Sequence, residues 1–311
     1  MRVSTGMIFD TGLGSIQRQT ATLLHTQQQV ATGRRVVTPA DDPVAAARAL
    51  EVTQARDINA QYRTNQENAG SALGLVEAHL AQLGELIQGV QERAVQAGNG
   101  ALADSDRAAI AVDLRARFGE MLGIANATDG TGLSLFSGYQ GHAVPFAGTV
   151  EGGVAYSGDD GQRALQVSAS RRLAVSDSGN DVFMRVRTAA GTESLFDTLG
   201  QLIIELEKPV TAATSGQTRI ADEVGRALDG LSRGLDNVLR VRASVGSRLA
   251  EVDALKGVGE DLDLQYETTL SRLQDVDLAK AISDLTQQQT YLEAAQKSYL
   301  RVTGLSLFNF I

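Results

Sequence analysis

The chain has 311 residues, 43% of them hydrophobic and 5% aromatic, with no tryptophan, no cysteine and a formal net charge of −9. That apolar content supports a substantial core and excludes disorder throughout, while the acidic balance without clustered Lys and Arg argues against nucleic acid as the main partner. The lack of cysteine excludes disulfides, thiolate catalysis and Cys-based metal sites, and no apolar run approaches the length of a membrane span, so no membrane insertion is expected.

The first residues, MRVSTGMIFDTGLGS, hold no apolar stretch suited to a cleaved signal peptide. The expectation is a cytoplasmic protein, or one that leaves the cell without signal cleavage. Ile16, Leu23, Val30 and Val37 then recur at every seventh position and predict a thin N-terminal helical seam. Polar residues at its inner positions make such a helix marginal alone and suited to specify a partner. At Asp42-Pro43 a long helix is predicted to start. The Asp42 carboxylate can accept from free N–H groups of the first turn, and Pro43 suits the first helical position. The helix should run to Ala97 and stop at Gly98-Asn99-Gly100, a length of roughly 80 Å at the α-helical rise. Within it Leu73, Val76, Leu80, Leu83, Ile87, Val90, Ala94 and Ala97 alternate at three and four, the spacing of a buried helical face.

Asp104 is expected to cap a following helix, which breaks at Thr128-Asp129-Gly130-Thr131-Gly132. From there to residue 190 period-two alternation, as at Leu165/Val167 and Leu173/Val175, predicts short antiparallel strands. Helix returns at Ser194 and ends at Pro209, and a longer one is expected over 216–256. Gly257-Val258-Gly259 reads as an interruption, with a last helix opening at the acidic Glu260-Asp261. That helix carries a C-terminal seam of Leu278, Leu285, Leu292 and Tyr299, with Ala281, Ile282, Ala295 and Val302 beside it. Gln27, Gln288, Gln289 and Gln296 read as polar inner positions of the two terminal seams. The tail with Leu305, Leu307 and Phe308 is strongly apolar, and such a terminus usually docks on something.

The fold class expected is mainly α with an inserted β domain: long antiparallel helices forming a rod-like coiled-coil bundle, and a small antiparallel β domain at mid-chain. The organisation expected is an N-terminal assembly segment over 1–42, disordered or weakly helical in the monomer; a helical core over 43–128 and 191–258; a β domain over 129–190; and a C-terminal assembly helix and tail over 259–311. Chemistry is scarce. His25, His79 and His142 have no carboxylate at metal-ligand spacing, and neither a phosphate loop nor a nucleophile elbow occurs. Asp159-Asp160 and Asp177–Asp181 read as turn residues, and the pairs Arg34-Arg35 and Arg171-Arg172 as solvated surface charge. No enzyme activity, cofactor or metal is expected.

Arg2-Val-Ser-Thr-Gly-Met7, Gln29–Val37 with its core VATGRRVV, and Pro39-Ala-Asp-Asp-Pro43 resemble the N-terminal signature of bacterial flagellins and their junction-protein relatives. Asn126-Ala-Thr-Asp-Gly-Thr-Gly132, Leu135-Phe-Ser-Gly-Tyr139, Val241-Arg-Ala-Ser-Val-Gly246, Asp275-Val-Asp-Leu-Ala279 and Gly304-Leu-Ser-Leu-Phe308 continue the resemblance, which spans nearly all the chain except 150–190. It implies a structural subunit of the bacterial flagellum in a ring between hook and filament, extracellular and exported without signal cleavage. The partners it implies are copies of the chain, flagellin on the filament side, a second junction protein on the hook side, and a cytoplasmic export chaperone on the C-terminal helix. Its terminal helices would order only on assembly. A short flagellin is the alternative within the family; a self-contained coiled-coil adaptor is the alternative outside it.

Overall fold

The computed structural model describes residues 5–188, 191–209 and 214–304. Its elements run α1 (Thr5–Thr32), α2 (Pro43–Ala97), α3 (Asp104–Ala125), β1 (Phe146–Thr149), β2 (Gly153–Tyr156), β3 (Ala164–Ser168), β4 (Arg171–Ala174), a π-helical turn (Asn180–Met184), β5 (Val186–Thr188), β6 (Gly191–Glu193), α4 (Leu195–Glu207), α5 (Thr214–Gln274) and α6 (Leu278–Gly304). The chain is therefore mainly α, with antiparallel β structure inserted at mid-chain. It divides into two compact units, Gln61–Gly259 and Met1–Ala60 together with Glu260–Ile311.

In the first of these units, α2 and α5 pack antiparallel. Arg63 lies against Gly259, Gly70 against Val252, Gly84 against Leu235 and Gly98 against Val224, and Arg242 binds Glu77 at 2.7 Å. The heptad face from Leu73 to Ala97 is wholly buried, and it joins Leu114, Phe118 and Met121 of α3, Leu195, Leu199, Leu202 and Ile203 of α4, and Leu231, Val238 and Val245 of α5 in one core. Helix α4 starts at a built cap, the Ser194 hydroxyl accepting from the Asp197 N–H at 2.9 Å. It lies so close to α5 that a Cβ on Gly234 would meet Leu195 at 2.2 Å.

Among the described residues the β structure is three separate two-stranded antiparallel sheets, β1–β2, β3–β4 and β5–β6, with Phe146 opposite Tyr156, Leu165 opposite Leu173 and Val186 opposite Glu193. Two strands without a covered face are marginal in water, and each hairpin here leans on helix. Asn126, just past α3, exchanges two hydrogen bonds with the Phe146 backbone (2.8 and 2.9 Å). Gln66 of α2 donates to the Val167 carbonyl at 2.7 Å. Phe146 packs on Tyr156, Phe183 and Phe196, and Phe196 packs on Phe118 and Phe183, with ring centroids 5.0–5.8 Å apart. Arg248 of α5 binds Asp177, both side chains 12% exposed, and donates to the Ala174 carbonyl at 3.0 Å. The strands and helices thus share one core.

Two helix boundaries depart from the sequence expectation. Helix α5 passes unbroken through Gly257-Val258-Gly259 to Gln274, so no helix opens at Glu260-Asp261. Gly259 is buried, and a Cβ there would press to 3.2 Å from Arg63; its smallness serves the close approach of α2 rather than a stop. Asp104 is the first helical residue of α3 rather than its cap, and it pairs with Arg107 at 2.6 Å, while the Asp106 carboxylate accepts from the Ala103 N–H.

Candidate assembly surface at the paired terminal helices

In the unit formed by the chain ends, α1 and α6 run antiparallel. At one end the Val276 N–H donates to the Gly33 carbonyl at 3.0 Å, and at the other Phe9 meets Tyr299 edge to face with centroids 6.3 Å apart. The positions most shielded from solvent alternate at three and four on both helices: Phe9, Gly12, Ile16, Gln19, Leu23, Thr26 and Val30 on α1, and Ala281, Leu285, Gln288, Leu292, Ala295 and Tyr299 on α6. This is the spacing of a coiled-coil seam. Phe9, Ile16, Ala295, Tyr299 and Val302 also line a small groove of about 210 Å³ at the far end of the pair.

The seam is shallow. Among the described residues, Thr26 is the one buried residue of α1 and Ala281 that of α6. Large apolar side chains away from this groove stand in solvent: Met7, Leu13 and Leu24 on α1, and Leu278, Ile282, Tyr291 and Leu300 on α6, with Met7 62% and Leu300 68% exposed. Apolar side chains left in solvent make these helices candidates for an interaction surface.

The turn from α1 into α2 is a densely bonded device. Gly33 adopts φ +69, the left-handed conformation that ends a helix at low cost. Arg34 then bridges Asp275, the Arg35 N–H donates to the Gln274 carbonyl at 2.6 Å, and the Arg35 guanidinium reaches the Leu273 carbonyl and the Asp42 carboxylate. The Gln29 amide donates to the Arg35 carbonyl at 2.7 Å. The Asp41 carboxylate accepts from the Val37 and Thr38 N–H groups at 3.0 and 2.7 Å and lies 3.6 Å from His25. Asp42 accepts from the Ala45 N–H at 2.9 Å, and Pro43 is the first residue of α2. The N–H of Thr38 holds the Asp41 carboxyl below its ordinary pKa, and the N–H of Ala45, then Arg35, do the same for Asp42.

A family model of the bacterial flagellin N-terminal helical region matches residues 3–141. The flagellar hook-associated protein 3 of Salmonella typhimurium is 34% identical over 99% of both chains, and that of Escherichia coli is 35% identical over the same shares. The chain belongs to the flagellar hook-associated protein 3 family. The crystal structure of flagellar hook-associated protein 3 from Legionella pneumophila shares the fold, with a TM-score of 0.67, 20% identity, and coverage of 71% of this chain and 98% of that one.

Within this family setting the sequence-derived seam residues separate into groups. Ile16, Leu23 and Val30 lie on the shielded face of α1, and Leu285, Leu292 and Tyr299 on that of α6. Val37 does not continue the N-terminal seam, because Gly33 ends α1 and places Val37 in the turn; the buried residue there is Val36. Leu278 and Ile282 are 50% and 52% exposed, and Ala281 takes the inner position between them. Gln27, Gln289 and Gln296 are exposed, leaving Gln288 as the one expected polar position that faces inward; Gln19 and Thr26 join it, which a strict seven-residue count from Ile16 misses. Leu305, Leu307 and Phe308 lie outside the described residues. Arg35 and Arg171 are not idle surface charge, since Arg171 binds Glu251 as Arg35 binds Asp42. Asp277 caps α6 through the Lys280 N–H at 3.1 Å. Among the described residues no group of three or more His, Cys, Asp or Glu could hold a metal ion, and no helix is long and apolar enough to cross a membrane.

Proposed function

We propose that the chain is a structural subunit of the bacterial flagellum, standing at the junction of hook and filament, and that the α1–α6 pair is the element by which copies join. The observation that carries the reading is identity of 34–35% with hook-associated protein 3 over 99% of both chains. The exposed apolar outer faces of α1 and α6 supply the physical means, since neighbouring copies can cover Met7, Leu13, Leu24, Leu278, Ile282 and Leu300. Ile16, Leu23, Val30, Leu285, Leu292 and Tyr299 then hold the pair together, while the apolar tail over 305–311 adds surface for assembly.

The ring of copies, flagellin on one side, a second junction protein on the other and an export chaperone on the C-terminal helix complete the proposal, with an extracellular position reached without signal cleavage. A terminal pair of such slight burial gains little from closing in the free monomer, because ordering two helices costs conformational entropy against few buried side chains. The organisation proposed is thus terminal assembly segments around a helical core with a β insertion. The test is complementation of a motile host deleted for its own hook-associated protein 3, with immunogold labelling of the chain. Restored swimming with label at the hook–filament boundary supports the reading. Label along the whole filament would mean a flagellin, and soluble chain with no labelled flagella would contradict assembly altogether.

A further inference from the structure

Helix α5 carries a charge pattern on its outer face that core packing does not explain. Asp222, Asp229 and Asp236 recur at every seventh position, and Arg226, Arg233 and Arg240 do the same. All of these side chains are exposed. At that period they form one stripe along the helix, alternating in sign over roughly 27 Å. The stripe borders clefts of about 790 and 710 Å³, whose other walls come from the π-helical turn and β5–β6 and from α4.

An Asp placed four residues before an Arg supports its own helix, but that purpose leaves most of the stripe unused. Among the described residues the one such pair that closes is Asp229 with Arg233, at 2.9 Å. Arg226 turns to Glu223, and Arg240 donates to the Asn237 side-chain oxygen at 2.7 Å, so Asp222 and Asp236 keep no ion pair among the described residues. Reversed, the stripe complements itself. With a second α5 laid antiparallel about Leu231, Asp222 falls level with the partner's Arg240, Arg226 with the partner's Asp236 and Asp229 with the partner's Arg233, and symmetry repeats each match. The series also ends in a matched way. Arg219 is its next arginine but is bound to Glu205, and the position that would face it is Ala243. Laid parallel and in register, two stripes would set like charge on like. We propose that this face of α5 is a contact between two copies of the chain, related by a twofold axis near Leu231, with opposite charges paired across it and the bordering clefts receiving the partner's helix. A ring has all its copies pointing one way, so the twofold contact belongs to free chains and does not rest on the reading of α1 and α6 as the assembly element.

Sedimentation equilibrium of the full chain, run to about 0.2 mM, tests this. Exposed ion pairs are individually weak and screened by salt, so a reversible dimer is expected at about 0.05 M salt and association about tenfold weaker at about 0.5 M. Arg226→Asp/Arg233→Asp/Arg240→Asp makes the stripe wholly acidic, and Asp222→Arg/Asp229→Arg/Asp236→Arg makes it wholly basic. Each variant should be monomeric alone, and an equimolar mixture should form a one-to-one dimer. Should either swap unfold the chain, as circular dichroism would show, Asp222→Asn/Asp236→Asn removes the two unpaired carboxylates and should weaken the dimer about tenfold. A monomer at low salt, association that salt or Asp222→Asn/Asp236→Asn leaves unchanged, a dimer in a folded swapped variant alone, or a mixture of folded variants that stays monomeric would each overturn the proposal.

Discussion

The two units of this chain are built from similar helices and differ in what those helices bury. Gln61–Gly259 closes around a continuous core in which Leu73, Leu80, Leu83, Ile87, Leu114, Leu199 and Val238 are shut off from solvent. Among its described apolar residues the unit of the chain ends buries little beyond Val36, Ala45, Ala49 and Ala281, and it leaves Met7, Leu13, Leu50, Leu264 and Leu300 in water. Burial is worth about 25 cal/mol per Å² of apolar surface. The first unit therefore carries its own stability, whereas the second lacks the covering that would complete it. The proposed role, a subunit folded in the middle and joined at its ends, calls for this division.

The largest expected effect sharpens the contrast from the stable side. Leu83→Ala removes a fully buried side chain and should cost about 3 kcal/mol in the cooperative unfolding of residues 61–259, measured by denaturant titration, while leaving exchange over 5–32 unchanged. Arg248→Ala leaves Asp177 with its charge 12% exposed and no guanidinium, at a cost of about 3 kcal/mol. The first exchange rates to rise should be those of β3 and β4. Leu285→Ala probes the other unit: the side chain is only half-buried, so a loss of about 1 kcal/mol, confined to exchange in α1 and α6, is expected. A loss as large as that of Leu83→Ala would erase the contrast. Ser194→Ala deletes the α4 cap and should cost about 1 kcal/mol, read as a small fall in the same titration.

Acid gives the smallest effect and touches both units. Asp41, Asp42 and Glu251 have folded pKa values below their ordinary 3.8 and 4.5, through the Thr38 N–H, the Ala45 N–H and Arg171 respectively. A lowered folded value means that the stabilisation is full above the unfolded value and is lost as pH falls through the folded one. The thermal midpoint should hold between neutrality and about pH 5 and decline below about pH 4. A midpoint that rose on acidification would contradict these assignments.

The parts of the fold legible in the sequence are those set by short-range pattern. The alternation from Leu73 to Ala97 specifies a buried face, and Asp42-Pro43, Gly33 and Ser194 carry capping chemistry that operates locally whatever surrounds it. Contacts made at long range hide the rest. Gly257 and Gly259 look like breakers until Arg63 is seen against Gly259. The inner face of α6 is read wrongly from Leu278 and Ile282 because a large apolar side chain there faces solvent while small Ala281 faces in. The hairpins read as an insertion, but the aromatic cluster of Phe118, Phe146, Phe183 and Phe196 that joins them to the helices gathers residues from distant segments with no spacing to betray them.

The most direct test of the contrast is hydrogen exchange of the full-length monomer, followed over residues 5–32, 73–97 and 278–304. Fast exchange in both terminal helices beside strong protection at 73–97 is the predicted result. Equal protection across all three segments would contradict the account and describe a bundle already complete in one chain.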